Sequence, residues 1–194
     1  MDCYHENLVE KRIEYLTLNS KFIYTGLECS DCGATLWNSD TDRKFNSWLE
    51  KLYKSDREKF QIQFGLSKNT ISCIKKISEP FPGVGISALF KAIVAIYLEL
   101  GPNTTFQKII NKVIEGEVYR SFRVRGKDRF KIQFKPMPLM EINSMAEFFD
   151  ETPAQFVEEG ILIILSIFVE NDQKLKDFWE ENIKNKLNAL LKVA

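Results

Sequence analysis

Four residues in the first part of the chain carry metal-ligand chemistry. Cys29 and Cys32 stand in the run Leu27-Glu28-Cys29-Ser30-Asp31-Cys32-Gly33, a C-x-x-C-G turn. Two thiolates at this spacing supply half of a tetrahedral zinc site. Cys3 and His5, the latter the only histidine of the chain, are the candidates for the other half. A short segment without a large core gains folding free energy from such a cross-link. Cys3-x-His5 is an unusual spacing for zinc, and reduced thiols in a turn are the other reading. No βαβ pattern surrounds the pair, which argues against thioredoxin-like redox chemistry. Cys73 falls within a helical apolar pattern and reads as a small buried residue.

A second set of residues lies in two nearly matching pentapeptides, Phe60-Gln61-Ile62-Gln63-Phe64 and Phe130-Lys131-Ile132-Gln133-Phe134. Each alternates apolar and polar residues at period two, the pattern of a strand with one buried face. The pleat turns Phe60, Ile62, Phe64, Phe130, Ile132 and Phe134 inward. It turns Lys59, Gln61, Gln63, Arg129, Lys131, Gln133 and Lys135 outward. A glutamine amide can pair with adenine N6 and N7, and lysine and arginine suit guanine O6 and N7. These are functional groups for reading base edges, although any solvated strand face carries the same residue types.

The elements that must position these groups repeat as well. After the first strand, Ser67-Lys68-Asn69-Thr70 has a helix-start composition, and Ile71, Ile74 and Ile77 recur on one face as far as Glu79. Pro80-Phe81-Pro82-Gly83-Val84-Gly85 breaks that helix. Ser87 is placed to cap a second one through Leu89, Ile93, Ile96, Tyr97 and Leu100, which Gly101-Pro102 stops. After the second strand, Pro136 to Asp150 is amphipathic. Thr152-Pro153, an N-cap followed by proline, opens a very apolar helix to about Val169. The first phenylalanine of each strand precedes the second helix cap by 27 residues in one copy and 22 in the other, the difference lying in the longer Pro/Gly turn. Elsewhere, 39–43 reads as a loop and Lys44–Tyr53 as a short amphipathic helix. The segment 171–194 reads as a C-terminal helix, packed on the domain or used for self-association.

A single strand with two amphipathic helices leaves an unpaired edge and a wet apolar face; two copies remove both problems at once. The double unit resembles the ribbon-helix-helix (MetJ/Arc-like) family of DNA-binding repressors, the resemblance spanning residues 59–170. Family members usually reach this fold by dimerising, whereas this chain would do so within itself. The expected fold is therefore mainly α with a short antiparallel β-ribbon, a tandem ribbon-helix-helix pseudo-dimer. The copies are 59–101 and 129–170, with a linker at 102–128. Residues 1–58 form the N-terminal segment that holds the possible zinc knuckle. The resemblance implies a ribbon in the major groove of double-stranded DNA, reading bases through its outward side chains. It also implies phosphate contacts from the second-helix starts, Gly85-Ile86-Ser87 and Thr152-Pro153-Ala154. The second start is the weaker, because Pro153 lacks an N–H and Asp150, Glu151, Glu158 and Glu159 surround it.

Charge is distributed to match. The net charge is zero, but residues 1–58 carry 8 basic and 11 acidic side chains, 59–117 carry 7 and 4, 118–135 carry 7 and 1, and 136–194 carry 5 and 11. The basic concentration includes Arg120, Arg123, Arg125 and Lys127, which either track phosphates beside the ribbon or extend its second strand. The one strongly apolar stretch, Gly160–Val169, is too short to span a bilayer, and the first residues lack the blocks of a secretion signal. The expectation is a cytoplasmic protein. No Gly-rich phosphate loop or nucleophile elbow occurs and the lone histidine has no catalytic partner in sequence, so no enzymatic activity is expected. The two functions left standing are sequence-specific DNA binding, as in a transcriptional repressor, and a protein-interaction module of the inhibitor or antitoxin kind.

Overall fold

The computed structural model describes residues 4–124 and 128–192. The chain divides between Phe60 and Gln61 into two units.

In the first unit, β1 (Leu8–Thr17) and β2 (Ser20–Cys29) form an antiparallel hairpin, in register from Leu8 opposite Cys29 to Thr17 opposite Ser20. A short β3 (Thr35–Leu36) adds to β2. These strands were not expected from the sequence. The turn joining β1 to β2 places both Leu18 and Asn19 at positive φ, 51° and 52°, as a tight hairpin turn with matching twist requires. Helix α1 spans Ser39–Ser55, so the expected loop at 39–43 is helical. The reason is Asn38, whose side chain accepts from the backbone N–H groups of Asp40 and Thr41. The buried face of α1 brings Phe45 against Phe22, with ring centroids 5.2 Å apart, and Trp48 against Phe45 at 5.7 Å; Trp37 meets Tyr24 at 5.4 Å. Such aromatic pairs add about 0.5–1.5 kcal/mol each beyond their burial. A 3₁₀ turn, Arg57–Phe60, ends the unit.

The second unit holds the repeat. β4 (Gln61–Leu66) and β5 (Asp128–Gln133) pair antiparallel, with Gln61 opposite Gln133, Gln63 opposite Lys131 and Phe64 opposite Phe130. β4 leads into α2 (Lys68–Ser78) and α3 (Ile86–Leu100), and β5 into α6 (Pro136–Phe148) and α7 (Pro153–Val169). Each half is thus strand, helix, more apolar helix. Between them lie α4 (Thr104–Ile114) and α5 (Glu117–Phe122), where the sequence reading placed only a linker. The Asn103 side chain caps α4. Phe122 closes α5 and does not extend the strand. The tail is helical as α8 (Gln173–Phe178), a π-helical stretch (Trp179–Lys184) and α9 (Asn185–Lys192), which packs on α3.

Helix α7 is the centre of the unit. It touches α2, α3, α4, α5, α6 and β4, and Ile161, Ile163, Ile164, Leu165 and Ile167 are all at most 1% exposed. Full burial of side chains of this size contributes about 1.5–3 kcal/mol each. This is why an apolar run too uniform to show a helical face is legible as a core helix. The chain is mostly helical with small antiparallel sheets. Among the described residues no single helix is long and apolar enough to cross a membrane.

Candidate nucleic-acid interface and candidate metal centre

The ribbon presents two different faces because its register is fixed by burial. Ile62, Phe64, Leu66 and Ile132 are buried, while Gln61, Gln63, Arg129 and Lys131 are exposed. Phe130 is half-buried, 6.1 Å from its partner Phe64 and edge-on to Phe90 at 5.3 Å. The outward set therefore centres on the directly opposed pair Gln63 and Lys131.

Other candidates fall elsewhere. Lys59 is not in the strand: it lies in the 3₁₀ turn, with Nζ 2.9 Å from Ser20 Oγ and 3.3 Å from Asp56 Oδ2. Gln133 is half-buried, and its Nε2 is enclosed with no hydrogen-bond partner among the described residues, so it does not project freely as the alternation implied. Lys135 is exposed at the N-cap of α6. Ser87 is not the cap of α3: Gly85 occupies that position with φ −69° and ψ 147°, and Ser87 sits in the first turn. The helix thus starts two residues earlier than expected, after a turn in which Gly83 takes φ +87°. Thr152 does cap α7, in a reciprocal box with Gln155.

Arg123 is the C-cap of α5, with its guanidinium 5.9 Å from the Tyr119 ring centroid. It lies within electrostatic reach of Glu151 and Glu158 of the acidic start of α7. Tyr119 is buried and its hydroxyl donates to Glu159 at 2.5 Å; burial and that carboxylate keep the phenol protonated. Glu158 is half-buried. Burial first, and then Glu159, raise its pKa, while the backbone N–H of Gly65 and the Arg123 charge pull it down. This cluster was missed in the sequence. Its one signal was an adjacent acidic pair inside an otherwise apolar helix. Burial pushes the Cys73 thiol up to about 11, which leaves it an unreactive core residue. Cys3, Arg125 and Lys127 lie outside the described residues.

The candidate metal centre belongs to the first unit, and the hairpin register builds it. Leu8 opposite Cys29 brings the residues before β1 beside the turn that follows β2. Ser30 N–H donates to the Asn7 carbonyl at 2.9 Å, and the Asn7 side-chain amide donates to Asp31 at 2.9 Å. The turn closes on itself through Gly33 N–H to Cys29 O and Cys29 N–H to Ala34 O, each 2.8 Å. Gly33 has φ +73° with nothing near the position of a Cβ, so the requirement there is conformational. The ligand atoms of His5, Cys29 and Cys32 all lie within 4.8 Å of one another, with Cys32 Sγ 3.4 Å from His5 Nδ1. Tetrahedral zinc with Zn–S of about 2.3 Å and Zn–N of about 2.0–2.1 Å requires an S···N separation of about 3.6 Å. Three side chains of the right donor types could thus hold a metal ion.

No family model, curated protein or solved structure matches the chain.

Proposed function

We propose that the second unit is a tandem ribbon-helix-helix domain that binds double-stranded DNA sequence-specifically, as a transcriptional repressor or regulator does. The observation that carries this reading is the register of β4 and β5. It sets Gln61, Gln63, Arg129 and Lys131 on one exposed face, backed by buried Ile62, Phe64 and Ile132. A two-stranded ribbon fits the major groove, roughly 12 Å wide. Gln63 there addresses adenine and Lys131 or Arg129 guanine. Phosphates are met by Lys135, by the free N–H groups at the Gly85 start of α3, and by Arg125. The start of α7 contributes little, since Pro153 has no N–H and Glu151, Glu158 and Glu159 repel phosphate, so the clamp is one-sided.

Selection from random duplex DNA with the full chain tests the reading. A recovered consensus, lost on Lys131→Ala with the fold intact by circular dichroism, supports it. No consensus, or a Lys131→Ala protein that binds the consensus like the parent, would overturn it in favour of a protein-interaction module.

The metal of the first unit is zinc, held by Cys29, Cys32 and His5 with Cys3 as the fourth ligand. Its contribution is structural, tying the segment before β1 to the turn after β2. Protein purified without chelator should contain about one zinc per chain, and Cys29→Ser should lose it; metal-free parent protein would leave the thiols as the answer.

A further inference from the structure

The second unit has an open groove of about 680 Å³ between α3 and α6, with Phe134 and Leu190 also in its lining. This is the size range of ligand and peptide pockets. It exists because α3 presents Ala88, Ala92 and Ala95 along one face, opposite Pro138, Ile142 and Met145 of α6. The other half of the unit shows what such a groove is for. Aligning α3 on α7 at their N-caps, Gly85 and Thr152, sets Ala92 at the place of Glu159 and Lys91 at that of Glu158. Aligning α6 on α2 at Lys135 and Ser67 sets Pro138 at the place of Thr70. The groove between α3 and α6 thus corresponds to the one between α7 and α2, and that one is filled. Helix α5 lies in it: Tyr119 and Phe122 are 2% and 6% exposed, Tyr119 bonds Glu159, and the Thr70 hydroxyl donates to Phe122 O at 3.5 Å.

The charges at the two places are opposite. In the filled groove, Arg123 of the occupant faces the carboxylates of Glu151 and Glu158. In the open one Lys91 stands where Glu158 would, Lys135 also lines the groove, and neither makes an ion pair among the described residues. Of the two carboxylates lining the open groove, Glu99 is held by Lys186, and Glu141 is exposed on the rim.

We propose that the groove between α3 and α6 is a docking seat for a short amphipathic helix of a partner protein. That helix carries two aromatic side chains one turn apart, as α5 carries Tyr119 and Phe122, and a carboxylate where α5 carries Arg123. Helix-in-groove recognition takes this form, with apolar anchors giving affinity and the rim charge giving selectivity. The inference rests on the likeness of the two halves and not on DNA contact.

The probe is a fluorescein-labelled peptide of residues 114–124 carrying Arg120→Glu and Arg123→Glu, with the unaltered sequence as control. Anisotropy titration of the full chain should give at least about ten-fold tighter binding of the acidic peptide. Lys91→Glu should reverse that preference. Ala95→Trp, which fills the groove from an exposed position, should abolish binding of both; Leu190→Asp serves if Ala95→Trp fails to fold. Equal binding of the two peptides, or undiminished binding to the folded Ala95→Trp or Leu190→Asp chain, overturns the proposal. So does saturable binding of dodecanoate without any of peptide, or dimerisation of the chain through this face. Gel-shift of the selected duplex by the Ala95→Trp chain keeps the DNA reading separate: retained DNA binding with lost peptide binding is the expected pair.

Discussion

Helix α3 starts at Gly85 with no side-chain cap, whereas α7 starts at Thr152 under a complete capping box with Gln155. The same N-cap alignment sets Ile93 of α3 against Gly160 of α7. An added Cβ at Gly160 would stand 2.5 Å from the Tyr97 ring of α3, so a large residue of one helix lies directly on the smallest residue of the other. In a symmetric homodimer every residue serves twice, and a Tyr-on-Gly contact of this kind would have to occur in both directions. A chain that carries both halves can specialise each: one helix start capped and acidic, the other without a side-chain cap; one groove filled by α5, the other open.

The largest expected effect follows from the packing difference. Ile93 is fully buried, and Ile93→Ala should cost about 2–5 kcal/mol in urea unfolding. Gly160→Ala should also destabilise, by about 1–3 kcal/mol, because the ring of Tyr97 must shift. Helix propensity alone would make it stabilising by about 1 kcal/mol, so the sign decides between the two effects. In a Tyr97→Leu background the penalty for Gly160→Ala should fall. If it persists unchanged, the asymmetric contact is not what disfavours the methyl group.

The ribbon gives the next comparison, at about 1–3 kcal/mol of base discrimination. Gln63 is exposed and Gln133 is half-buried with its amide nitrogen enclosed. On the DNA reading, Gln63→Ala should lose preference for the selected duplex and leave non-specific binding unchanged, while Gln133→Ala should lose less. Equal losses at the two positions would mean that the two strands read DNA alike, against the difference in their burial. A smaller effect, about 1 kcal/mol, is expected for Thr152→Ala, because it removes a real cap. Gly85→Ala has no side-chain bond to lose, and thermal unfolding of the two variants compares them directly.

How much of this was legible depends on the kind of signal. Strands β4 and β5 were readable because their alternation is strict and one face is buried, and that also fixed their register. The starts of α2 and α7 were readable because Ser67 and Thr152 are side-chain caps. The hairpin of the first unit was not readable: its turn uses Leu18-Asn19 without glycine, and the outer face of β1 and β2 mixes Leu16, Ile23 and Leu27 with Glu10, Arg12 and Lys21, which blurs the alternation. Helix α5 has six residues, too few for a helical period to show. The His5, Cys29 and Cys32 cluster was legible from ligand type and the C-x-x-C-G spacing. The register that delivers His5 to Cys32 comes from the hairpin, and was not.

The smallest effect tests the acidic end of α7 itself. The pKa of Glu158 is raised chiefly by burial and secondarily by Glu159, against the opposing pull of Gly65 N–H and Arg123. A carboxyl raised in the folded state holds its proton where the unfolded chain has lost it, so its ionisation costs stability as pH rises above the ordinary glutamate range, about 4.3, through the folded value. Below that window both states are protonated and the group is neutral in its effect. Glu158→Gln keeps an oxygen to accept from Gly65 and removes the ionisation. The variant should therefore match the parent near pH 4 and exceed it at pH 7, by less than about 1 kcal/mol because the half-exposed group is screened by water. Urea melts of the two proteins at the two pH values decide the matter. A Glu158→Gln chain less stable than the parent at pH 7 would mean that the Gly65 and Arg123 contacts to the ionised carboxylate outweigh its burial.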